Sequence, residues 1–308
     1  MTRWSTALTR AGVREPEMRA DYDAQRRVVR RFEPHAYLAA RLLLPPRLHA
    51  PVVAAVAFMH LTDELIDAGE VDARQEALRA WDGQVTQALK QGGSDSSALR
   101  ALADTVRRHP QLGSRVRDFL DGAAVEASWT AFETEADFQA YVDQYSLPAL
   151  MLTAALVAPA SGTERYAPFL RCCRELIEGW QRLDNLADLR EDAERGQVGI
   201  PLHAFTEHGL KPQELLAQSP DAVAVGRLVG AQAALAGDAL RRAQALPELV
   251  DAEFRPFVRT LVRVQELRLE ALRRKGAAVL TDSARPPVPA AVRVLGREAL
   301  LVRRARRR

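Results

Sequence analysis

The chain has 308 residues, of which 47% are hydrophobic and 27% charged, and its formal net charge is +3. That is ample apolar material for a large core, and the basic excess is too mild and too poor in aromatic residues to indicate a nucleic-acid partner. The two cysteines, Cys172 and Cys173, are adjacent, which argues against a disulfide between them and offers no zinc-ligand spacing.

No segment of the sequence is expected to cross a membrane. Residues 1–19 are polar and charged and lack the apolar region of a signal peptide. The longest apolar stretch, around residues 147–160, is too short to span a bilayer and contains prolines. We therefore expect a soluble, cytoplasmic protein, and the sequence leaves both a monomer and a homodimer open.

Apolar residues recur at helical spacing along most of the chain, and strand-like alternation does not persist. In chain order, the segments predicted to be helical are 73–91, 97–108, 112–125, 168–194, 220–245 and 252–275. Short breaks at glycine and proline separate them. We predict a single all-α domain over residues 1–308, a helical bundle around a central apolar cavity, with about 1–20 and 282–308 peripheral.

Two acidic clusters are the most informative feature of the sequence. The first contains Asp63 and Asp67, and the second contains Asp184, Asp188 and Asp192. On a helix, aspartates at every fourth position lie on one face, one turn apart, and like charges so placed repel each other. Carboxylate oxygens are hard ligands that suit Mg²⁺, which completes its shell with waters and substrate phosphate. The pattern therefore predicts a magnesium and diphosphate site.

The sequence around these clusters resembles the squalene/phytoene synthase family over nearly the whole chain. Residues 37–46 look like the entry helix of that family and residues 56–67 like its first aspartate motif. Residues 181–201, in which the run from Arg195 to Pro201 follows the aspartates, look like the second motif. The ending, 269–280 followed by Arg285, is similar to the last helix and tail.

This resemblance implies an isoprenoid synthase fold and the ionisation of an allylic prenyl diphosphate to a carbocation. It implies that Asp63, Asp67, Asp188 and Asp192 are catalytic and bind Mg²⁺. Asp184 stands where the family usually has asparagine and would extend the metal-binding stripe. The residues predicted to contact substrate are Tyr37, Arg47, His60, Tyr141, Tyr145, Leu150, Gln181 and Arg195.

The sequence also departs from the family at the positions that hold a second diphosphate. Where the family has serine, arginine, tyrosine and a basic residue on the first two helices, this chain has Ala36, His60, Val56 and His49, although Arg47 lies close by. Ala187 and Gln265 replace an arginine and a tyrosine further on, and Ala149-Leu150 replaces a small Val-Gly pair. This chain therefore has fewer side chains that could donate hydrogen bonds to a second diphosphate.

We therefore predict a Mg²⁺-dependent prenyltransferase of secondary metabolism that uses an allylic prenyl diphosphate and a small-molecule acceptor. The acceptor would be neutral and aromatic, as in the squalene-synthase-like enzymes that prenylate carbazoles. Head-to-head condensation of two farnesyl or geranylgeranyl diphosphates is the first alternative, and a class I terpene cyclase is the second. An assembly protein without catalysis is disfavoured because both aspartate motifs are kept. The prenyl chain length and the acceptor are not specified by the sequence.

Overall fold

The computed structural model describes residues 3–67, 69–217, 220–281 and 288–305. Within these ranges the chain is all-α, as predicted, and its one strand-like pairing is a parallel bridge between Ala131 and Val198. The helices are α1 (Trp4–Arg10), α2 (Pro16–Phe32), α3 (Pro34–Leu43), α4 (His49–Ile66), α5 (Val71–Gln91), α6 (Ser97–Arg108), α7 (Leu112–Glu126), α8 (Glu135–Tyr141), α9 (Leu147–Ala154), α10 (Tyr166–Ala187), α11 (Leu189–Glu194), α12 (Leu202–Glu207), α13 (Ala222–Arg242), α14 (Leu246–Leu249), α15 (Arg255–Lys275) and α16 (Val288–Ala305).

Shorter helical turns link several of these elements. Four are of the 3-10 type, at Pro46–Leu48, Pro212–Leu216, Ala243–Ala245 and Gly276–Leu280. The fifth, Val142–Ser146, is a π-helical turn between α8 and α9. Such turns insert an extra residue into the helical ladder and often occur at functional sites. We call this segment the π-turn.

Most predicted helices are confirmed to within a few residues, and the prediction of one helix over 168–194 is wrong. The helix breaks at Asp188, where φ is −103° and ψ is 8°, and α11 begins at Leu189. A continuous helix would stack the carboxylates of Asp184, Asp188 and Asp192 on one face, which weakens a helix by like-charge repulsion. The break therefore lies in the middle of the second acidic cluster.

The core is built around α4, which is apolar on nearly every side and almost entirely buried. One face of α4 joins a large cluster formed mainly by α9, α10, α13 and α15. The other face packs against α5, α6 and α7, where the rings of Phe58 and Phe119 meet edge to face with centroids 5.8 Å apart. The C-terminal end of this buried helix carries Asp63 and Asp67, so the core positions the first acidic cluster.

Parts of both chain ends, which were predicted to be peripheral, pack against the rest of the fold. Leu8 and Val13 are buried in a small cluster with Tyr22 of α2 and alanines of α4 and α6. At the other end, Glu298 of α16 is buried and accepts a hydrogen bond of 3.0 Å from Arg259. Short apolar pairs in an arginine-rich context produced too weak a pattern to predict this packing. Residues 282–287 and 306–308 lie outside the described residues.

One stretch, Ala222–Leu249, is long and apolar enough to cross a membrane by length and composition, with a mean hydropathy of 1.2. Of that window, 56% is buried inside the fold, and α13 packs along α10 in the large core cluster. Burial of this kind is what a core helix shows, so the finding is weak evidence for a membrane span.

Candidate active site

The first acidic cluster lies at the end of α4. Asp63 occupies the last turn and is half-buried, whereas Asp67 follows the helix and is exposed. The Tyr145 hydroxyl donates a hydrogen bond of 3.1 Å to Oδ1 of Asp63. Burial, together with the charge of Asp67, raises the pKa of Asp63 to about 7 despite that hydrogen bond.

The second acidic cluster follows the α10 to α11 junction. Arg268 of α15 donates a hydrogen bond to Oδ1 of Asp184, and the Trp180 indole also donates to this carboxylate. Asp188 lies at the helix break and Asp192 within α11. Burial raises the pKa of Asp188, with Asp184 adding to the effect, and burial with the charge of Asp188 raises the pKa of Asp192 to about 6.

Both clusters face one cavity of about 350 Å³, which we call the acidic cavity. Its lining residues are Asp67, Arg74, Glu126, Trp129, Phe132, Tyr141, Gln181, Asp184, Asn185, Asp188, Asp192, Arg195 and Gln197. Five of these side chains are carboxylates and two are guanidinium groups, so the wall has an excess of negative charge. Trp129 and Phe132, with ring centroids 4.9 Å apart, give it an aromatic side.

Glu126 is a carboxylate of the cavity that was not predicted from the sequence. It is the last residue of α7, one position beyond the predicted end of that helix, and it accepts a hydrogen bond of 2.5 Å from the Tyr141 hydroxyl. Burial, with the charge of Asp67 adding to it, raises the pKa of Glu126 to about 7. The one available signal was a single glutamate at the end of the run Gly122-Ala-Ala-Val-Glu126.

The π-turn explains how two tyrosines reach the carboxylates. Tyr141 ends α8 and Tyr145 lies within the π-turn, with ring centroids 5.5 Å apart. The α7 helix passes so close to the π-turn that a Cβ on Gly122 would lie 2.1 Å from the carbonyl oxygen of Gln144. Burial and the nearby carboxylates raise the pKa of both phenols well above the usual value, so both stay neutral hydrogen-bond donors.

A chain of amide hydrogen bonds fixes the floor of the cavity. The Ser146 hydroxyl donates to Gln181 at 2.9 Å, and Gln181 donates to Asn185 at 3.0 Å. Asn185 in turn donates to the carbonyl of Gly199 at 2.6 Å. A Cβ on Gly199 would lie 2.6 Å from Cγ of Asn185, so only glycine allows this close return of the chain after α11.

The remaining predicted substrate residues do not all reach the acidic cavity. Tyr141, Gln181 and Arg195 line it, and Tyr145 contacts Asp63. His60 lies one turn before Asp63, with its ring 3.9 Å from the Phe32 ring and its Nε2 3.4 Å from Glu64. The side chain of Leu150 is half-buried and packs against the large core cluster.

Tyr37 and Arg47 lie elsewhere in the structure. Tyr37 lines a second depression on the outer side of α3, and Arg47 is exposed and donates to Glu253 at 2.9 Å. Tyr37 faces α2, where the guanidinium group of Arg30 lies over its ring. Arg47 is paired with a carboxylate from the turn before α15. Their substrate contacts stay predictions.

The donor set of the acidic cavity suits a hard divalent cation, although no three carboxylate, histidine or cysteine side chains among the described residues are grouped closely enough to form a ready metal cluster. Carboxylates dominate the wall, and burial is the main cause of the raised pKa of Asp63, Asp188 and Asp192, with neighbouring carboxylates adding to it. Mg²⁺ typically takes only one or two protein carboxylates and keeps several waters. The residues therefore fit the predicted ion, and metal binding stays a prediction.

Solved structures share this arrangement of helices. A dehydrosqualene synthase crystallised with a ligand superposes with a TM-score of 0.79 at 21% sequence identity, covering 93% of this chain and 98% of the other. The squalene synthase HpnC from Alicyclobacillus acidocaldarius gives a TM-score of 0.73 at 19% identity, covering 87% of this chain and 98% of the other. At these identities the likeness establishes the all-α fold of this class of synthase.

The chain belongs to the squalene/phytoene synthase family, whose model matches residues 29–291. A relative from Streptomyces coelicolor, the bifunctional protein CrtB/UppS, is 29% identical over 272 residues, which are 88% of this chain and 47% of that protein. Phytoene synthase 1 from the chloroplast of Arabidopsis thaliana is 26% identical over 204 residues, 64% of this chain and 46% of that protein. The chain thus spans about half the length of these curated relatives. The family consists of prenyltransferase-type enzymes.

Proposed function

We propose that this protein ionises an allylic prenyl diphosphate in the acidic cavity and transfers the prenyl group to a non-diphosphate, aromatic, carbazole-like acceptor. The observation that carries the proposal is the charge of the cavity wall, five carboxylates against two guanidinium groups. Such a wall accepts one diphosphate together with its cations. A second diphosphate would need cationic donors of its own.

The positions that would supply those donors carry side chains that lack a donor or are already in contact with other groups. Ala36 has no hydroxyl, the His60 ring is packed against Phe32 beside Glu64, and Arg47 is paired with Glu253. Each missing charge-assisted hydrogen bond to a buried anion weakens its binding by about 1.5–3 kcal/mol. Two such losses would make a second diphosphate a poor ligand, which favours a neutral acceptor.

The described side chains suggest how the reaction would proceed. When bound by Asp63, Asp67, Asp184, Asp188 and Asp192, Mg²⁺ would neutralise the charge of the departing diphosphate. Arg74 and Arg195, which line the cavity, would hold diphosphate oxygens. The allylic C–O bond breaks, a ring carbon of the acceptor forms the new C–C bond, and its proton passes to Glu126 or to the expelled diphosphate. The faces of Trp129 and Phe132 favour the intermediate cation.

Head-to-head condensation of two prenyl diphosphates is the second candidate. Family membership supports it, as do the names of the relatives, which include phytoene synthases and a dehydrosqualene synthase. It differs from the first candidate in one requirement, since it needs a second diphosphate site, and several hydrogen-bond donors of that site are replaced in this chain.

The deciding experiment measures diphosphate release and product mass with dimethylallyl, geranyl, farnesyl and geranylgeranyl diphosphates, with Mg²⁺ or EDTA, and with or without a panel of carbazoles and indoles. We expect release that requires both Mg²⁺ and an aromatic acceptor, and a product whose mass is acceptor plus prenyl. A doubled hydrocarbon would establish the second candidate, and a cyclic product of unchanged carbon count would establish a cyclase.

Two variants complete that design. Asp188→Asn should abolish release, whereas Asp251→Asn, which removes an exposed carboxylate paired with Arg165 outside the cavity, should leave it unchanged. Ala36→Ser combined with His60→Arg should add condensation of two prenyl diphosphates to the wild-type activity. Unchanged turnover in that double variant on every diphosphate pair would show that the lost donors do not explain the proposed absence of a second diphosphate site.

A further inference from the structure

A second depression of about 610 Å³ lies between α1, α2 and the outer side of α3. Its lining residues are Arg3, Trp4, Arg26, Arg30, Pro34, Tyr37, Leu38 and Arg41. We call it the arginine groove. It shares no lining residue with the acidic cavity, and the two differ in charge, since every ionisable side chain in this list except the Tyr37 phenol is an arginine.

The guanidinium groups of the groove are held close together by aromatic rings. Those of Arg26 and Arg41 lie 5.4 Å and 5.3 Å from the centroid of the same Trp4 ring, and that of Arg30 lies 6.0 Å from the Tyr37 ring. Burial lowers the pKa of Arg41, and the charge of Arg26 adds to this. Like charges packed around one indole repel each other, and an anion between them would relieve that repulsion.

Carboxylates of the protein do little to neutralise the groove. Asp23 lies 2.8 Å from Arg26, but it also pairs with Arg27 at 2.9 Å, outside the groove. Within the described ranges, Arg30 forms no ion pair with a carboxylate. Arg30 therefore keeps its positive charge for a ligand, and Arg26 shares its carboxylate partner with Arg27.

Two buried donors also point to a missing acceptor. The indole Nε1 of Trp4 and the Nε of Arg26 are buried and have no hydrogen-bond partner among the described residues. A buried N–H without an acceptor is destabilising, so such groups are rare unless a ligand or water completes them. Both belong to side chains that line the groove.

The rest of the groove wall is apolar. Pro34, the ring of Tyr37 and Leu38 lie along one side of α3, and Leu38 leaves 40% of its surface exposed. Guanidinium groups bind phosphate in a bidentate manner, and an apolar wall beside them suits a hydrocarbon chain. We propose that the arginine groove binds a phosphate or diphosphate ester of an apolar chain, supplied as a free ester or as the head group of a membrane lipid.

Metal dependence separates this site from the acidic cavity. The acidic cavity has five carboxylates against two guanidinium groups and would bind a diphosphate chiefly through cations. The described lining residues of the groove include guanidinium groups and no carboxylate, so the groove would bind it directly. Binding is therefore measured calorimetrically in EDTA, with farnesyl monophosphate and inorganic phosphate as probes and the full chain as the protein. We expect binding without Mg²⁺, tighter for farnesyl monophosphate than for phosphate, and unchanged by Asp188→Asn. This result does not depend on the function proposed above, which fails or succeeds on turnover.

Two double variants of α2 provide the control. Arg26→Gln with Arg30→Gln should weaken farnesyl monophosphate binding by about tenfold or more, as expected for lost charge-assisted hydrogen bonds. Arg27→Gln with Arg31→Gln removes the same charge at the same spacing from positions outside the groove and should leave binding unchanged. If the first double variant melts at a lower temperature than wild type, Arg30→Gln is compared with Arg31→Gln instead, since each guanidinium lies over one aromatic ring.

The source of the ester is resolved with vesicles. Sedimentation with phosphatidic acid vesicles but not with phosphatidylcholine vesicles, lost in Arg26→Gln with Arg30→Gln, would assign the groove to a lipid head group. Binding of the soluble ester alone would assign it to a free prenyl phosphate. Equal effects of the two double variants in both assays, or no metal-free binding at all, would overturn the proposal.

Discussion

At the scale of single residues, the hydrogen bond from Tyr145 to Asp63 controls the first acidic cluster. This bond lowers the pKa of Asp63 against the larger effect of burial. Tyr145→Phe should raise that pKa further and increase the Mg²⁺ concentration for half-maximal diphosphate release by about tenfold, the worth of one hydrogen bond to a charged group. The measurement is diphosphate release as a function of Mg²⁺ concentration.

The control for this variant is Tyr166→Phe, which deletes a phenol that accepts a hydrogen bond of 3.3 Å from Arg115 outside the acidic cavity. Its Mg²⁺ dependence should match wild type. The role of Tyr145 would be refuted if both variants shifted the Mg²⁺ curve equally, or if neither did.

The pH dependence of stability follows from Asp63 and Glu126. Burial raises the pKa of both to about 7 in the metal-free fold, from the values near 4 expected in the unfolded chain. The folded protein therefore holds more protons between these values, so its stability falls as the pH rises from 4 to 7. The proposed Mg²⁺ would bind the ionised carboxylates and should restore more stability at pH 8 than at pH 5.

Thermal melting at pH 5 and pH 8, in EDTA and in Mg²⁺, tests this expectation. Glu126→Gln should show a smaller loss of melting temperature between the two pH values in EDTA than wild type does. A melting temperature that rises with pH equally in both proteins would contradict the pKa direction of Glu126.

The aspartates were predictable from the sequence, whereas Glu126 and Arg268, the partner of Asp184, were not. The aspartates repeat at helical spacing within each cluster, which is a local signal. Glu126 and Arg268 are single charged residues on helices far from the clusters along the chain, and only the packing of α7 and α15 brings them to the site. No spacing rule within one segment could have selected them.

At the scale of elements, the contact between α7 and the π-turn holds the tyrosines in place. Gly122→Ala would put a Cβ 2.1 Å from the carbonyl oxygen of Gln144, so the two elements must move apart. We expect a loss of about 1–3 kcal/mol in the free energy of unfolding, as for other overpacked sites, together with reduced diphosphate release. Chemical denaturation and the release assay measure the two effects.

Gly230→Ala in α13 is the matched control, because a Cβ there meets no heavy atom within 4 Å. Alanine is the better helix former, so this variant should stabilise the fold by about 0.5–1 kcal/mol and keep its activity. Equal stability changes in the two glycine variants would show that the close approach is not a constraint.

The bounds of a helix were predictable from the sequence where the helix buries one face and exposes the other. The segment 97–108 was predicted with its observed bounds because its apolar positions recur regularly. The break at Asp188 and the π-turn were not predictable from periodicity, since both keep the helical spacing of apolar residues on either side. The break coincides with the middle of the second acidic cluster, and the π-turn packs closely against Gly122.

At the scale of the whole molecule, the N-terminal helix contributes to the core. Leu8 is 3% exposed and packs in the cluster of Val13 and Tyr22. Leu8→Ala should lower the free energy of unfolding by about 2–4 kcal/mol through lost burial and a cavity. Leu300→Ala removes a leucine that is 57% exposed and should change it by less than about 0.5 kcal/mol. Similar values for both in urea denaturation would restore the prediction that the N-terminus is peripheral.

Composition predicted the all-α fold correctly, because scarce aromatic and β-branched runs leave helices as the way to bury this apolar surface. The family was also predicted correctly, from the two aspartate motifs and the run from Arg195 to Pro201 that follows the second motif. The single-domain organisation, the metal and the acceptor stay predictions. The acceptor depends on the shape of the cavity, which no local pattern encodes.

The helix break at Asp188 has a consequence for how this enzyme can change over generations. Asp184 belongs to α10, whose Leu176, Leu183 and Leu186 are fully buried, so most substitutions there would endanger folding. Asp192 belongs to the six-residue α11, in which Leu189 is the buried residue, and none of residues 190–197 is fully buried. Random mutagenesis should therefore recover altered substrate preference mainly from residues 190–197. We therefore expect the α10 side of the acidic cavity to tolerate few substitutions and the α11 side to tolerate many.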